Sequence, residues 1–210
     1  MDEAEVGFLK NSMRKEVLDR RNGIAPEDRA ARSRAICERI FDAARDEAMS
    51  SFGRSTGLRV AVFSSMGSEV SLSRFEELAL EEGMRLCFPA MLKIEENSHP
   101  AMAFFEVPSK IALLKEAPFL AHPARAFSRE EVVACGVTPL RDTEIDFALI
   151  PLVAFDDQGG RLGYGGGNYD AFLKARRVGV CAVGVAFEEQ RVGKVPREDH
   201  DLSVDWVACG

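Results

Sequence analysis

The segment from Arg161 to Asp170 carries the strongest chemical signal in the sequence, since it reads RLGYGGGNYD and is rich in glycine. Glycines let backbone amides approach an anion closely, and the first turn of a following helix adds unpaired N–H groups and a favourable dipole. A phosphate group fits such a segment, and the arginine adds positive charge. The spacing matches neither the P-loop nor the dinucleotide fingerprint, in which Asn168 would be glycine. A phosphate-binding loop and a mobile glycine-rich connection therefore both remain compatible with the spacing.

Two basic residues near the N-terminus, Lys10 and Arg14, are four positions apart and would share one face of a helix. No acidic residue stands three or four positions from either of them. Repulsion between like charges at this spacing costs a helix about 0.2–0.5 kcal/mol. A phosphate close to both would return on the order of 4 kcal/mol per charge pair before desolvation is subtracted. The pair is thus either an anion site or a solvated basic face.

Acidic and aromatic residues complete the set that could do chemistry. Asp170 and Asp201 are candidate ligands for Mg²⁺, which usually takes one or two carboxylates beside phosphate oxygens. The alternatives are complementation of a helix dipole for Asp170 and a loop cap for Asp201. Glu69 follows a predicted strand, where it would meet the polar edge of a ligand or face solvent. Tyr164 and Tyr169 would stack on a flat ring or pack in the core.

Two strand-helix-strand units must position these residues. Strands are predicted over residues 58–63, 85–88, 145–151 and 178–186, with helices over 72–82 and 168–175 between them. This order is typical of a parallel sheet. Two amphipathic helices precede it, one ending at Asn22 and one starting near Pro26. Either Ser71, or Ser73 with Glu76 in a capping box, would start the helix over 72–82.

The prediction is a three-layer α/β/α fold with a mostly parallel sheet, formed by residues 1–210 as a single domain. The secondary structure of residues 89–139 is less clear from the sequence, because prolines interrupt the segment and only residues 101–107 show a strand pattern.

Composition narrows the class of protein. The 210 residues include 46% hydrophobic and 29% charged ones, which suits a globular protein with a sizeable core. A formal net charge of −7 provides no general attraction for nucleic acid or anionic lipid. Five scattered cysteines without a C-x-x-C motif favour a reducing compartment and argue against structural zinc. No apolar run approaches the ~20 residues of a membrane span. We expect a cytoplasmic monomer.

Short motifs follow one another along the chain. They are Lys10-x-x-x-Arg14, Ser65-Met66-x-x-Glu69, Ile145-Asp146 leading to Pro151-x-x-Ala154-Phe155-Asp156, residues 160–170, Ala186-Phe187-x-x-Gln190 and Pro196-x-x-x-His200-Asp201. In content and order they resemble the 5-formyltetrahydrofolate cyclo-ligase (methenyltetrahydrofolate synthetase) family over nearly the whole chain. The resemblance implies a fold related to the ribose-phosphate isomerase and CoA-transferase group. It also implies ATP- and Mg²⁺-dependent closure of 5-formyltetrahydrofolate to 5,10-methenyltetrahydrofolate, with release of ADP and phosphate, through an iminium phosphate intermediate.

The resemblance also implies roles for individual residues. The nucleotide would contact Lys10, Arg14, Arg161, Leu162, Gly163, Tyr164, Gly165, Gly166, Gly167, Asn168 and Tyr169. The folate would contact Ser64, Glu69, Tyr164, Gly165, Gly166, Gly167 and Asn168. Lys10 and Arg161 would act on the transferred phosphoryl group as the catalytic residues, and Asp170 and Asp201 would hold Mg²⁺.

Two other functions are compatible with the sequence. One is a folate- or nucleotide-binding relative that has lost turnover, which would bind without releasing ADP. The other is a phosphosugar isomerase of related fold, which would need no ATP. The cyclo-ligase function requires that cations from the N-terminal helix and the glycine-rich segment converge on a single triphosphate.

Overall fold

A computed structural model describes residues 3–94 and 99–210 of the chain. The strands in these ranges are β1 (Arg59–Ala61), β2 (Arg85–Leu92), β3 (Ala101–Glu106), β4 (Ala126–Phe127), β5 (Thr138–Pro139), β6 (Phe147–Pro151), β7 (Ala154–Phe155), β8 (Arg161–Leu162), β9 (Cys181–Ala186) and β10 (Trp206–Cys209). The helices are α1 (Glu3–Asn22), α2 (Pro26–Phe52), α3 (Ser73–Glu81), α4 (Ser109–Leu114), α5 (Pro118–Ala121), α6 (Arg129–Val133) and α7 (Asn168–Ala175), with 3-10 turns at Asp142–Glu144 and Glu188–Gln190. None of the helices in the described ranges is both long and apolar enough to span a bilayer.

The central sheet has eight strands in the order β10-β9-β6-β1-β2-β3-β5, with β4 beside β2. Strands β10, β9, β6, β1 and β2 pair in parallel, whereas β3 is antiparallel to both of its neighbours, β2 and the edge strand β5. The two faces of the sheet are covered by different helices. Phe147 and Leu149 of β6 enter a core that includes α2 and α3, whereas Ala148 and Ile150 enter a core that includes α7. The predicted layered α/β architecture with a mostly parallel sheet is confirmed.

Most predicted elements lie where the sequence places them, but the start of α3 does not. Leu72 occupies its N-cap without a side-chain hydrogen bond, so the predicted serine cap with a Glu76 capping box is wrong. Glu76 is buried and accepts hydrogen bonds from the Lys115 ammonium at 2.6 and 2.8 Å. The Glu76 carboxylate therefore accepts its hydrogen bonds from a lysine that is distant in sequence, rather than from a nearby backbone amide.

The connection between β6 and α7 is more ordered than a glycine-rich loop. Strands β7 and β8 form an antiparallel hairpin inside it, so Arg161 lies on a strand. Asp156, at the turn of this hairpin, is buried and accepts hydrogen bonds from the amides of Gln158, Gly160 and Val195 at 3.0, 2.8 and 2.9 Å. Burial acts to raise the pKa of Asp156, but the three backbone donors outweigh it and lower that pKa. The carboxylate therefore fixes both the hairpin and the segment that leads to residue 198.

The sheet has a topological switch point between β1 and β6. The chain passes from β1 to β2 on one side and later places β6 and then β9 on the other. In open α/β sheets, ligands bind in the crevice outside the carboxyl ends of the strands at such a point. The loop that begins at Val62 and the hairpin that follows β6 both start from this edge of the sheet.

Candidate active site

A cavity of about 440 Å³ opens at the carboxyl ends of β1, β2 and β6. The structure brings together, in its lining, every residue that the sequence assigned to nucleotide, folate or metal. These are Lys10, Arg14, Ser64, Glu69, Arg161, Leu162, Gly163, Tyr164, Gly165, Gly166, Gly167, Asn168, Tyr169, Asp170 and Asp201. Residues at opposite ends of the chain therefore share one cavity, as the cyclo-ligase function requires.

Helix α1 turns Lys10 inward rather than into solvent. The residue is 6% exposed, and its ammonium lies 2.5 Å from both Glu198 Oε2 and Asp201 Oδ2. Burial acts to lower the pKa of Lys10, but the hydrogen bonds to Asp201 and Glu198 outweigh it and raise that pKa. The same bond lowers the pKa of Asp201 against the opposing effect of burial. Lys10 is thus neither on a solvated face nor unpaired; its partners lie near the C-terminus.

Arg161 makes a second buried ion pair in the wall of the cavity. Its Nη2 lies 2.7 Å from Asp170 Oδ1, which also accepts a hydrogen bond from the Leu202 amide at 3.1 Å. Its side chain is 3% exposed. The buried Nε of Arg161 has no hydrogen-bond partner within the described ranges. The guanidinium belongs to a residue that lines the cavity, where its positive charge favours a bound anion.

Arg14 connects α1 to the glycine-rich segment. Its Nε donates to the Gly163 carbonyl at 2.8 Å, and its Nη1 donates to Asn11 Oδ1 at 2.7 Å. Burial lowers the pKa of Arg14 below its ordinary value. A Cβ at Gly165 would lie 3.4 Å from Arg14 Nη2, and the φ of +102° there is one that side chains rarely adopt. The backbone conformation, rather than the space beside Arg14, therefore favours glycine at this position.

Glu69 faces the cavity from the loop that follows β1. Its Oε1 accepts a hydrogen bond from the Tyr164 hydroxyl at 2.7 Å, and its Oε2 accepts one from the Met66 amide at 2.7 Å. Burial raises the pKa of Glu69 despite these donors. Burial and the Glu69 charge raise the pKa of Tyr164 to about 12, so its phenol is protonated at neutral pH. As an acceptor-only group, the Glu69 carboxylate favours a ligand edge that carries hydrogen-bond donors.

Sequence reasoning missed the apolar part of the wall. Met91 of β2 and Met102 of β3 are directly paired across the two strands, and both line the cavity with Pro123 and Ala124. Met91 lies beyond the predicted end of its strand, and the residues after α5 carried no recognisable signal. Methionine suits the flat faces of aromatic ligands because its thioether is polarisable and its side chain adapts to the gap. The segment 89–139 thus contributes one wall of the site.

Glu198 and His200 were also not assigned a role from sequence. Both line the cavity, and Glu198, His200 and Asp201 each offer one ligand atom within 4.8 Å of the others. Asp170 lies in the same lining. Carboxylate oxygens are the ligands that Mg²⁺ prefers, so Glu198 and Asp201 suit the ion that the resemblance implies, whereas the His200 imidazole does not, and Asp170 is not part of this cluster. The proposed ligand Asp201 is ion-paired with Lys10, and Asp170 is ion-paired with Arg161.

Comparisons with known proteins agree with this geometry. Residues 8–210 match the model of the 5-formyltetrahydrofolate cyclo-ligase family. The mouse 5-formyltetrahydrofolate cyclo-ligase is 28% identical over 207 residues, which cover 96% of this chain and 94% of the mouse protein.

Two solved structures share the fold. A 5,10-methenyltetrahydrofolate synthetase from Mycoplasma pneumoniae superposes with a TM-score of 0.68 at 19% identity, over 95% of this chain and 97% of that one. The Aquifex aeolicus 5,10-methenyltetrahydrofolate synthetase gives a TM-score of 0.61 at 26% identity, over 96% and 89% of the two chains. The family match spans nearly all of the sequence, including the motifs that meet in the cavity. The chain belongs to the 5-formyltetrahydrofolate cyclo-ligase family.

Proposed function

We propose that the cavity is an active site in which ATP and 5-formyltetrahydrofolate meet and from which 5,10-methenyltetrahydrofolate, ADP and phosphate leave. The observation that carries this proposal is the convergence of Lys10, Arg14 and Arg161 on one cavity that also contains the glycine-rich segment. Three cations and a row of exposed backbone amides suit a triphosphate. The apolar wall and Glu69 suit a flat ring with polar edges.

The reaction needs an activated leaving group. The formyl oxygen on N5 attacks the γ-phosphorus of ATP, the bond to the β–γ bridging oxygen breaks, and ADP leaves. N10 then attacks the formyl carbon, phosphate departs with the former formyl oxygen, and N10 loses its proton. Phosphoryl transfer of this kind depends mainly on positioning and charge neutralisation, so no protein nucleophile is required.

Different residues of the cavity act on the phosphates, the folate and the metal ion. Lys10 and Arg161 stabilise the charge that shifts among the phosphoryl oxygens, and Arg14 holds the loop backbone against the nucleotide. Glu69 accepts hydrogen bonds from the donor edge of the pterin ring, and Ser64 contacts the same ring. Asp170 and Asp201 would hold Mg²⁺, which neutralises phosphate charge when it is bound. We propose that the protein is a cytoplasmic monomer, and free cysteines, of which it has five, are usual in a reducing compartment.

The direct test mixes purified protein, 5-formyltetrahydrofolate, ATP and Mg²⁺ and follows the absorbance of the methenyl product together with ADP release. We expect one ADP to be released for each 5,10-methenyltetrahydrofolate that forms. Omission of ATP separates this reaction from a phosphosugar isomerase, whose turnover would survive it. Tight binding of both ligands without ADP release would contradict the proposed turnover and indicate a binding protein.

Gly165→Ala is expected to weaken ADP binding about 5–30-fold, equivalent to the 1–2 kcal/mol that a side chain loses at a left-handed position. The reason is that the loop must rotate away from its φ of +102°, which also moves its backbone away from Arg14. Calorimetric titration with ADP measures the loss. Gly179→Ala is the matched control, since Gly179 has a φ of +85° and lies outside the cavity lining. An equal loss in both variants would assign the effect to general strain.

A further inference from the structure

Arg21 is a third inward-facing cation on α1, and the proposed function assigns it no role. It stands seven residues after Arg14 and is 3% exposed. Its Nε donates to Ser68 Oγ at 2.9 Å, and its Nη2 donates to the Tyr164 hydroxyl oxygen at 2.9 Å. Its buried Nη1 has no hydrogen-bond partner within the described ranges. Arg21 thus touches both the loop after β1 and the glycine-rich segment.

The direction of these hydrogen bonds is fixed by chemistry. A guanidinium only donates, so the oxygen of Tyr164 must accept from Arg21. The phenol hydrogen is then left for Glu69 Oε1, which lies 2.7 Å away. The other carboxylate oxygen of Glu69 is held by the Met66 amide. Arg21 therefore determines the orientation of Tyr164, and Tyr164 determines the orientation of the Glu69 carboxylate.

Folding alone does not account for an arginine at this position. Arg21 lines a narrow gap together with Glu69, Gln190 and mostly apolar residues such as Phe63, Leu152 and Val185. An unpaired donor of a charged group costs free energy there, and an apolar side chain of similar length would avoid that cost. Val17, one turn earlier on the same face, is such an apolar residue and is 1% exposed. Sites that break the rules of core packing in this way are commonly functional.

We propose that Arg21 is a positioning residue for the folate side of the cavity. It locks Tyr164 against Glu69, so that the remaining lone pairs of the carboxylate point at the donor edge of the substrate ring. The same hydrogen bonds hold the glycine-rich segment against the loop after β1. They thereby fix the wall of the cavity between the nucleotide and the folate. This inference rests on the proposed function only in naming the folate as the ligand that Glu69 meets.

Binding rather than turnover provides the test. We expect Arg21→Met to raise the Kd for 5-formyltetrahydrofolate roughly tenfold, the loss usual for hydrogen bonds that involve a charged group, and to leave the Kd for ADP within about twofold. Tyr164→Phe removes the hydroxyl through which Arg21 acts, and it should cause a similar loss. The Kd of the double variant for 5-formyltetrahydrofolate should then lie within about threefold of the Kd of either single variant, because the effects of coupled residues are not additive. Arg20→Met, on the exposed side of the same helix, is the control.

Each remaining outcome decides against the proposal. Additive effects in the double variant would show that Arg21 does not act through Tyr164. A parallel loss of folate and ADP affinity with a lowered Tm would make Arg21 a structural support. If Arg21→Met does not fold, Tyr164→Phe still tests the lock, since its hydroxyl faces the cavity, and an unchanged folate Kd would overturn the proposal. Absence of turnover in the unaltered protein would overturn the proposed function while leaving these affinities measurable.

Discussion

Arg161→Met is expected to lower kcat/KM for ATP by roughly 10²–10³-fold, the loss usual when one preorganised charge that faces the transition state is removed. The side chain is almost fully buried, lies in the wall of the cavity and is held there by Asp170. The guanidinium is therefore already positioned and desolvated before the reaction begins. We expect kcat to fall more than the affinity for ADP, because the stabilised charge develops during phosphoryl transfer.

The same substitution also affects stability, and a second variant separates the two effects. Arg161→Met leaves the Asp170 carboxylate with the Leu202 amide as the remaining donor among the described residues, and the loss should be below the ~3–5 kcal/mol of a fully buried pair, because Asp170 retains some contact with water. Arg161→Met with Asp170→Asn removes both charges and should recover most of the unfolding free energy in a urea titration. Activity should not recover with it. If kcat/KM returned in step with stability, Arg161 would be a structural residue.

The positions of the site residues were predictable where a local pattern fixed them. Helix α7 begins at Asn168 as its glycine boundary predicts, and the cation pair on α1 follows from helical spacing alone. The partners of those cations were not predictable. Lys10 and Glu198 are 188 positions apart, and nothing in the spacing of either residue indicates the other.

The apolar wall of the cavity could not be predicted either, because it too depends on contacts between distant segments. The pairing of Met91 with Met102 joins the end of β2 to the start of β3, and both residues read as ordinary core methionines in the sequence. Register between strands, rather than the type of residue, places them at the site. Arg161 was expected on a loop because glycines surround it, but the buried carboxylate of Asp156 converts that segment into a hairpin.

Charge pairing within the cavity has a consequence for the order of binding. In the structure, Lys10 is ion-paired with both Glu198 and Asp201, two of the groups that would approach Mg²⁺, and its single charge offsets one of the two carboxylates. Arg161 likewise neutralises Asp170. Phosphate and a divalent cation would have to arrive together, because phosphate alone would compete with carboxylates for the lysine, and the cation alone would compete with the lysine for the carboxylates. Lys10 is therefore the residue whose removal should disturb both stability and nucleotide binding.

Lys10→Met is expected to lower the unfolding free energy by about 2 kcal/mol at pH 7, less than the ~3–5 kcal/mol of a fully buried pair, because Glu198 and Asp201 retain some contact with water. The folded state lowers the pKa of Asp201 below its ordinary 3.8, so this stabilisation is present above 3.8 and is lost as pH falls through the folded-state pKa. The folded state raises the pKa of Lys10 above its ordinary 10.5, so the contribution of the ammonium is complete below 10.5 and is lost as pH rises through the folded-state pKa.

Urea unfolding of the unaltered protein and of Lys10→Met across this range measures the difference. The two stabilities should converge as pH falls below 3.8 and through the folded-state pKa of Asp201, and the variant should bind ADP with Mg²⁺ roughly tenfold less tightly at pH 7, as expected for loss of one charged contact. Lys15→Met is the matched control, because Lys15 lies on the exposed side of the same helix, and its stability should stay within about 0.5 kcal/mol. A stability difference that does not change with pH would mean that Lys10 contributes through packing of its aliphatic chain, and its assignment to the triphosphate would lose its electrostatic basis.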